Sequence, residues 1–520
     1  MTFVLKLKLK TTGKTVRELN ERFFIVNRCH NLMVTYANHR LNDMKRSKEY
    51  HTGIKTYAVA RKGLSGLKKG TPEYDEADAK RKAAGDALNE IYHKFGIDKS
   101  SLEKFAAIFQ NKHKTKISSH QMQKEADVVY KGVSDVLYGK GRKLHYKRLV
   151  EQTTISQKND INGVKFYDGY ITWGGYKDDT KNMLRIPYKV PDAYAQEALL
   201  NEVKYCEITR IEFSDGWHYY VNVYLDGTPP VKFNHGKGTT GIDLGVSTVA
   251  AVNESGVMLE ELAPDYCNYD RKIKALQRKI DRSMRASNPD NYNDDGTIKK
   301  GRKTWHLSKN CKTLKRKVRI LYRKQTAYTE TKHREQINCI IRQSDTVIME
   351  PVNWAALIRR SKKKNERQDK TSVITKKNGD TQTVHKYKRR KRFGRSIRNR
   401  SPGMFAAFLF QKCNTYHITY LEVDTKKFRA SQLNHMTGKY QKCPLTQRTK
   451  QIGDDIVQRD LYSAFLISNA KFTEAETETR SEAPDLKACN DKFNSFVKIQ
   501  NEAIAEMKKL GISYKPCFGF

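Results

Sequence analysis

Three carboxylates interrupt sequence that is otherwise apolar or glycine-rich, and they limit the folds open to this chain. Asp243 stands inside Gly241-Ile242-Asp243-Leu244-Gly245, Glu350 closes the apolar run 345–350, and Asp460 follows Gln458-Arg459 at the start of the amphipathic run 461–467. A charge in a buried strand is costly without partners. An acid in the first turn of a helix is stabilised by the dipole, so Asp460 alone has an ordinary structural explanation, as Glu350 has as a strand-end acid. Brought to one end of a sheet, three carboxylates repel one another unless cations neutralise them. Hard oxygen donors of this kind suit Mg²⁺. Two such ions about 3.5–4 Å apart activate water and stabilise the leaving oxygen in phosphodiester cleavage.

Charge names the partner class. The 520 residues carry 99 Lys and Arg against 57 Asp and Glu, a formal +42. Such a chain repels itself unless an anion neutralises it, and a polynucleotide, with about one charge per 1.7 Å of duplex, is the natural one. At 38% hydrophobic and 10% aromatic the chain can bury several cores, and its length suggests about three or four domains. The start, MTFVLKLKLK, alternates apolar and basic residues without the apolar core of a signal peptide. The longest apolar stretch, 404–410, is far short of the ~20 residues that span a bilayer, so no membrane partner is expected. Nine scattered cysteines with no CxxC read as reduced thiols of a cytoplasmic protein.

The chain divides by texture. Residues 1–13 hold one alternating strand. Residues 14–150 read as a basic helical domain: Thr15-x-x-Glu18 forms a capping box, followed by Val16, Leu19, Phe23, Val26, Met33 and Ala37 at helical spacing. A helix from about Ser119 carries Met122, Ala126, Val129 and Val133 on one face. Residues 151–238 are rich in Tyr, Val, Ile and Thr, with Ser214-Asp215-Gly216 turning between two strands. The first strand is expected to join this β domain, with the helical domain inserted between. Residues 239–470 alternate strands and helices, an α/β unit, and 471–520 form a helical tail. Within 359–400 lie 18 Lys and Arg against three acids, a net +15, including Lys388, Arg389, Arg390, Lys391, Arg392 and Arg395. A solvated loop and a nucleic-acid backbone contact are both compatible with such a block.

GIDLGVSTVAAV, VIMEPVNW and QRDLYSAFLI resemble the three RuvC motifs of TnpB proteins and the compact type V CRISPR effectors, with the acids in the family's order. The layout resembles that family along nearly the whole chain. The resemblance implies a multidomain α+β protein: an RNase H-like (RuvC) α/β nuclease domain, a β-barrel-like wedge domain (1–13 and 151–238) and an inserted helical recognition domain (14–150). It implies an RNA-guided DNA endonuclease using two Mg²⁺ ions on Asp243, Glu350 and Asp460, with a guide RNA and target double-stranded DNA as partners. Base pairing then reads most of the sequence and the protein reads a short adjacent motif. Gln121, Gln123 and Lys124 are the first candidates for that reading, because amide and amine groups contact base edges. The expected location is the cytoplasm of a prokaryote, on the nucleoid when bound to DNA, in a transposon or CRISPR setting.

Two departures stand out. Many family members carry a zinc-binding CxxC…CxxC between the second and third motifs. Here segment 428–458 keeps one cysteine, Cys443, and one histidine, His435, so no structural zinc is expected. The third motif reads Tyr462-Ser463-Ala464 where the family usually has an Asn and Ala pair, but its Asp remains. The competing readings are a nuclease-inactive RNA-guided repressor, a transposase joining strands directly, and a junction resolvase.

Overall fold

The chain begins with a strand that becomes the middle of a sheet. In FVLKLKL the leucines Leu5, Leu7 and Leu9 are buried and the lysines exposed, the period of two that one covered face requires. The structure is a computed structural model that describes residues 2–174, 183–358, 366–375, 381–387, 394–444, 446–472, 480–511 and 518–519. It divides into two units, Met1–Pro230 and Val231–Phe520.

In the first unit β1 (Thr2–Leu9) is followed by five helices, α1 (Gly13–Arg46), α2 (Lys48–Gly63), α3 (Pro72–Lys94), α4 (Lys99–Asn111) and α5 (Ser119–Leu137). Then come β2 (Thr154–Ile155), β3 (Val164–Tyr167), β4 (Tyr170–Trp173), β5 (Leu184–Lys189), α6 (Ala193–Ala198), β6 (Glu202–Glu212) and β7 (Trp217–Asp226). The strands order as β2-β6-β7-β1-β5-β4-β3. Every pairing is antiparallel, and β1 lies between β7 and β5. One core joins the leucines of β1 to Leu19, Phe23 and Met33 of α1 and Val221 and Val223 of β7. The start of α1 differs from the capping box at Thr15: Thr12 is the cap, its side chain accepting from Thr15 N at 3.3 Å. Glu18 instead takes Arg22 at 2.9 Å, because Arg22 is buried one turn on and needs an anion.

The second unit opens with β8 (Thr239–Leu244), β9 (Thr248–Val252) and β10 (Val257–Glu261), an antiparallel meander. Two long helices follow, α7 (Tyr266–Ser287) and α8 (Lys309–Ile341), then β11 (Thr346–Met349) and α9 (Trp354–Ile358). The basic block contains a hairpin, β12 (Glu366–Thr375) and β13 (Thr381–Tyr387), and ends in α10 (Gly394–Arg400). After it come α11 (Pro402–Tyr416), β14 (Thr419–Val423), the hairpins β15 (Leu433–Asn434)/β16 (Lys439–Tyr440) and β17 (Thr449–Ile452)/β18 (Asp455–Gln458), then α12 (Arg459–Ser468), β19 (Arg480–Ser481) and α13 (Leu486–Lys509). The sheet order is β10-β9-β8-β11-β14-β19, with β8, β11, β14 and β19 mutually parallel. Each face of the sheet is covered. Ile242, Leu244, Val347 and Met349 pack with Ile340 of α8 and Phe405 and Leu409 of α11. Ala250 and Ile348 pack with Leu461 and Phe465 of α12 and Phe493 and Phe496 of α13.

Candidate active site and basic surfaces

The site is built by one glycine. A Cβ on Gly241 would stand 2.2 Å from both Ala464 O and Ser468 N, so α12 lies directly on β8 there and only glycine fits. Side chains two residues apart share a face of a strand, so Asp243 points to the same side as α12, further along β8. Residues four apart on a helix share a face, which carries the line from Ala464 back to Asp460. Strand β11 runs parallel to β8 with Ile348 opposite Gly241 and Met349 opposite Ile242. Glu350, the next residue, is therefore level with Asp243. Two strand ends and one helix start bring the three acids into one neighbourhood.

The electrostatics agree with that geometry. Burial, then the carboxylates of Asp460 and Glu350, push the Asp243 carboxyl well above the ordinary carboxylate range, against an opposing pull from Arg459. Burial pushes Glu350 up to about 6. Asp460 is held by two guanidiniums. Arg459 donates from Nε (3.1 Å) and Nη2 (2.9 Å) to its Oδ1, and Arg448 Nη1 lies 3.5 Å from its Oδ2. Arg459 also donates to Gln447 O at 3.0 Å, tying this acid to the segment before β17. The helix start is fixed by Gln458, whose Oε1 accepts from Leu461 N at 2.7 Å while its own N–H donates to Gln500 Oε1 at 2.8 Å.

As a donor set, two aspartates and a glutamate fit a hard divalent cation. Among the described residues, no group of three or more His, Cys, Asp or Glu side chains is gathered closely enough to hold a metal ion. The two arginines on Asp460 supply positive charge beside it. Arg448 and Arg459 were not among the residues singled out from sequence. The adjacency of Arg459 to Asp460 was its only local signal.

The nucleic-acid candidates fall out differently. Gln121 is buried and serves the fold: its backbone N–H donates to Ser118 Oγ (3.3 Å), its Oε1 accepts from Ser118 N (3.1 Å) and from Trp173 Nε1 (3.3 Å). It presents no amide to a base edge, a correction to its assignment as a reader. Gln123 and Lys124 are half-buried on α5. Lys388, Arg389, Arg390, Lys391 and Arg392 lie outside the described residues, and Arg395 lies in α10. A basic surface not singled out before runs along α7, where Arg271, Arg278, Arg282 and Arg285 are exposed at helical spacing along one side.

The segment 428–458 folds on an apolar centre. Phe428, Ala430 and Leu433 are buried against α12 and α13. His435 is buried with its Nδ1 2.8 Å from Tyr462 Oη, and Cys443 is half-buried near Gln441 O at 3.8 Å. No described helix is long and apolar enough to cross a membrane.

No protein-family model and no curated protein matches the sequence. Among solved structures the chain is similar to the Cas12f1–sgRNA–target DNA complex, at 12% identity and a TM-score of 0.43, covering 90% of this chain and 99% of that one. It is also similar to a CRISPR-Cas12f ternary complex, at 11% identity and a TM-score of 0.25, covering 91% of this chain and 99% of that one.

Proposed function

We propose that the chain is an RNA-guided DNA endonuclease of the TnpB and compact type V kind, with the Val231–Phe520 unit as its RNase H-like RuvC nuclease. The observation that carries this reading is the convergence of Asp243, Glu350 and Asp460 at one end of a mixed sheet, set by the β8–β11 register and by the close seat of α12 on Gly241. The formal charge of +42 supports a polynucleotide partner.

Asp243, Glu350 and Asp460 would hold Mg²⁺, which when bound lowers the pKa of water and neutralises charge on the scissile phosphate. The chain's own part is to set that place. Gly241 lets α12 seat Asp460 against β8, and the parallel β8–β11 register sets Glu350 level with Asp243. Arg459 and Arg448 hold the Asp460 carboxylate in place, and a bound cation would share that role. The arginines of α7 offer a row of charges to a phosphate backbone. A nuclease-inactive RNA-guided binder is the second reading, favoured by the neutralisation of Asp460 by those same two arginines.

The test is to express the protein with its native flanking DNA, sequence the RNA that copurifies, and challenge the complex with a matched DNA target and Mg²⁺. A structured RNA with a variable end, and cleavage dependent on that end, is the expected result. Specific RNA without cleavage selects the inactive binder, and no specific RNA contradicts the RNA-guided reading.

A further inference from the structure

In the second unit, at the starting edge of the parallel strands and away from the acids, cations gather around a pair of rings. Strands β8, β11 and β14 run parallel from Thr239, Thr346 and Thr419. Phe233 precedes β8, Arg342 closes α8 just before β11, and Tyr416 ends α11 just before β14. The Phe233 and Tyr416 rings lie 5.0 Å apart by centroid. Lys412 of α11 is half-buried over both, its Nζ 4.4 Å from the Tyr416 centroid and 5.2 Å from that of Phe233. The Arg342 guanidinium lies 4.7 Å over Phe233. The guanidinium of Arg334, also from α8, lies 4.3 Å over Phe408, one turn before Lys412. Lys232 is anchored beside them, its backbone N–H donating to Tyr416 Oη at 3.2 Å.

Among the described residues no carboxylate pairs with Lys412, Arg334 or Arg342. A lysine drawn into the protein usually has an anion for a partner, and this one has like charges instead. Burial first, then Arg334 and Lys232, push the Lys412 amine down to about 8. The ring faces pull the other way, since they favour the ammonium, and they also hold the amine in one place. A lysine with lowered proton affinity keeps a free lone pair near neutral pH, which makes it a nucleophile. The exposed side chains of Arg334, Arg342 and Lys232 attract an anionic donor to the same spot. An electrophile whose leaving group is phosphate answers both features, a carbonyl carbon for the amine and negative charge for the cations.

We propose that Lys412 is a site of acylation by acyl phosphates, with the donor's phosphate drawn to Arg334, Arg342 and Lys232. The Nζ lone pair attacks the acyl carbon. The bond from that carbon to the phosphate oxygen breaks, its electron pair leaving with the phosphate, and Nζ gives up a proton to water. An amide and inorganic phosphate are the products, and the cluster loses one of its positive charges. Neither the acids nor a nucleic acid enters the step, so failure of the nuclease reading leaves the proposal standing.

The full chain, as purified and again after removal of bound nucleic acid, is incubated in EDTA with acetyl phosphate or with acetic anhydride, a small donor without charge. Remaining amines are capped with deuterated acetic anhydride after denaturation, and acetylation is counted at each lysine by mass spectrometry. The exposed Lys312 and Lys498 are the references. At pH 7.5 Lys412 is expected to react at least about tenfold faster than either with both donors, because an ordinary lysine, near about 10.4, holds far less free base. Its advantage is expected to be at least about threefold larger with acetyl phosphate than with the anhydride, and Arg334→Gln is expected to lose that excess. Its rate is expected to level off above about pH 8 while the references keep rising. The comparison of donors needs no variant, so it decides the matter even if Arg334→Gln misfolds. Lys412 reacting no faster than the references in both preparations would overturn the proposal, and an equal advantage with both donors would overturn the assignment to acyl phosphates.

Discussion

Arg459 donates two hydrogen bonds to the carboxylate of its own neighbour, Asp460, with Nε at 3.1 Å and Nη2 at 2.9 Å from the same oxygen. Both side chains are nearly buried. Removing one partner of a buried ion pair leaves an uncompensated charge, which costs about 3–5 kcal/mol. Arg459→Ala is therefore expected to destabilise the metal-free protein by about 3 kcal/mol, since Arg448 remains. Mg²⁺ is expected to restore part of that loss, because a cation then compensates Asp460. Urea denaturation of both proteins with and without Mg²⁺ checks this. Equal destabilisation in both conditions would mean that Asp460 binds no cation.

The acids were legible because each broke an apolar pattern, and a charge inside a buried strand announces itself locally. The helix starting at Ser119, the amphipathic run 461–467 inside α12, and the turn at Ser214–Gly216 were legible because cap, turn and periodicity all lie within a few residues. Gln121 was misread because its partner Trp173 comes 52 residues later and nothing beside Gln121 reports it. Helix α2 escaped notice because Tyr50 is its only buried side chain among a polar run. It packs on α3 through Gly53, against Leu88 and Ile91. The hairpin β12–β13 was hidden by the charge of the block around it.

Gly241→Ala tests how the site is assembled. The added methyl would meet backbone atoms of α12 at 2.2 Å, so the helix must move away from β8. A loss of about 3 kcal/mol in stability is expected, with loss of cleavage, since Asp460 moves with the helix. Gly256→Ala, whose Cβ would meet only Asn253 Oδ1 at 4.0 Å, is the control and should change neither. Wild-type cleavage by Gly241→Ala would remove Asp460 from the site.

Proton competition follows from Glu350. Burial raises its carboxyl to about 6, so it is ionised above that pH and holds a proton below it. A metal must displace that proton. The Mg²⁺ concentration for half-maximal cleavage is expected to rise at least roughly tenfold per pH unit as pH falls below about 6. A half-saturation value that is flat between about pH 5 and pH 7 would exclude Glu350 as a ligand.

His333 sets an acid limit on stability. It is fully buried against the Phe405 ring, and burial lowers it to about 4 from 6.5. The folded state then binds fewer protons than the unfolded one, so stability is full above about 6.5 and declines as pH falls toward 4, by up to about 3 kcal/mol. His333→Leu is expected to flatten this part of the pH profile in urea denaturation. A mutant with the wild-type slope would mean that other groups set it.

The segment 428–458 is expected to hold its shape without zinc. His435 is committed to Tyr462 Oη at 2.8 Å and packs against Phe493, and Phe428 and Leu433 lie in the apolar centre of the segment. Elemental analysis of purified protein is expected to find well under one zinc per chain. A stoichiometric ion, with loss of structure on chelation, would contradict this.

The central claim is that Asp243, Glu350 and Asp460 act as one cation-dependent cleavage site. The most direct measurement compares wild type with Asp243→Ala, both loaded with the copurified RNA, on a matched DNA target with Mg²⁺. RNA binding within about twofold of wild type, with cleavage lost by a factor of at least about 10³, is the predicted result. Mg²⁺-dependent cutting by Asp243→Ala at the wild-type rate would contradict it.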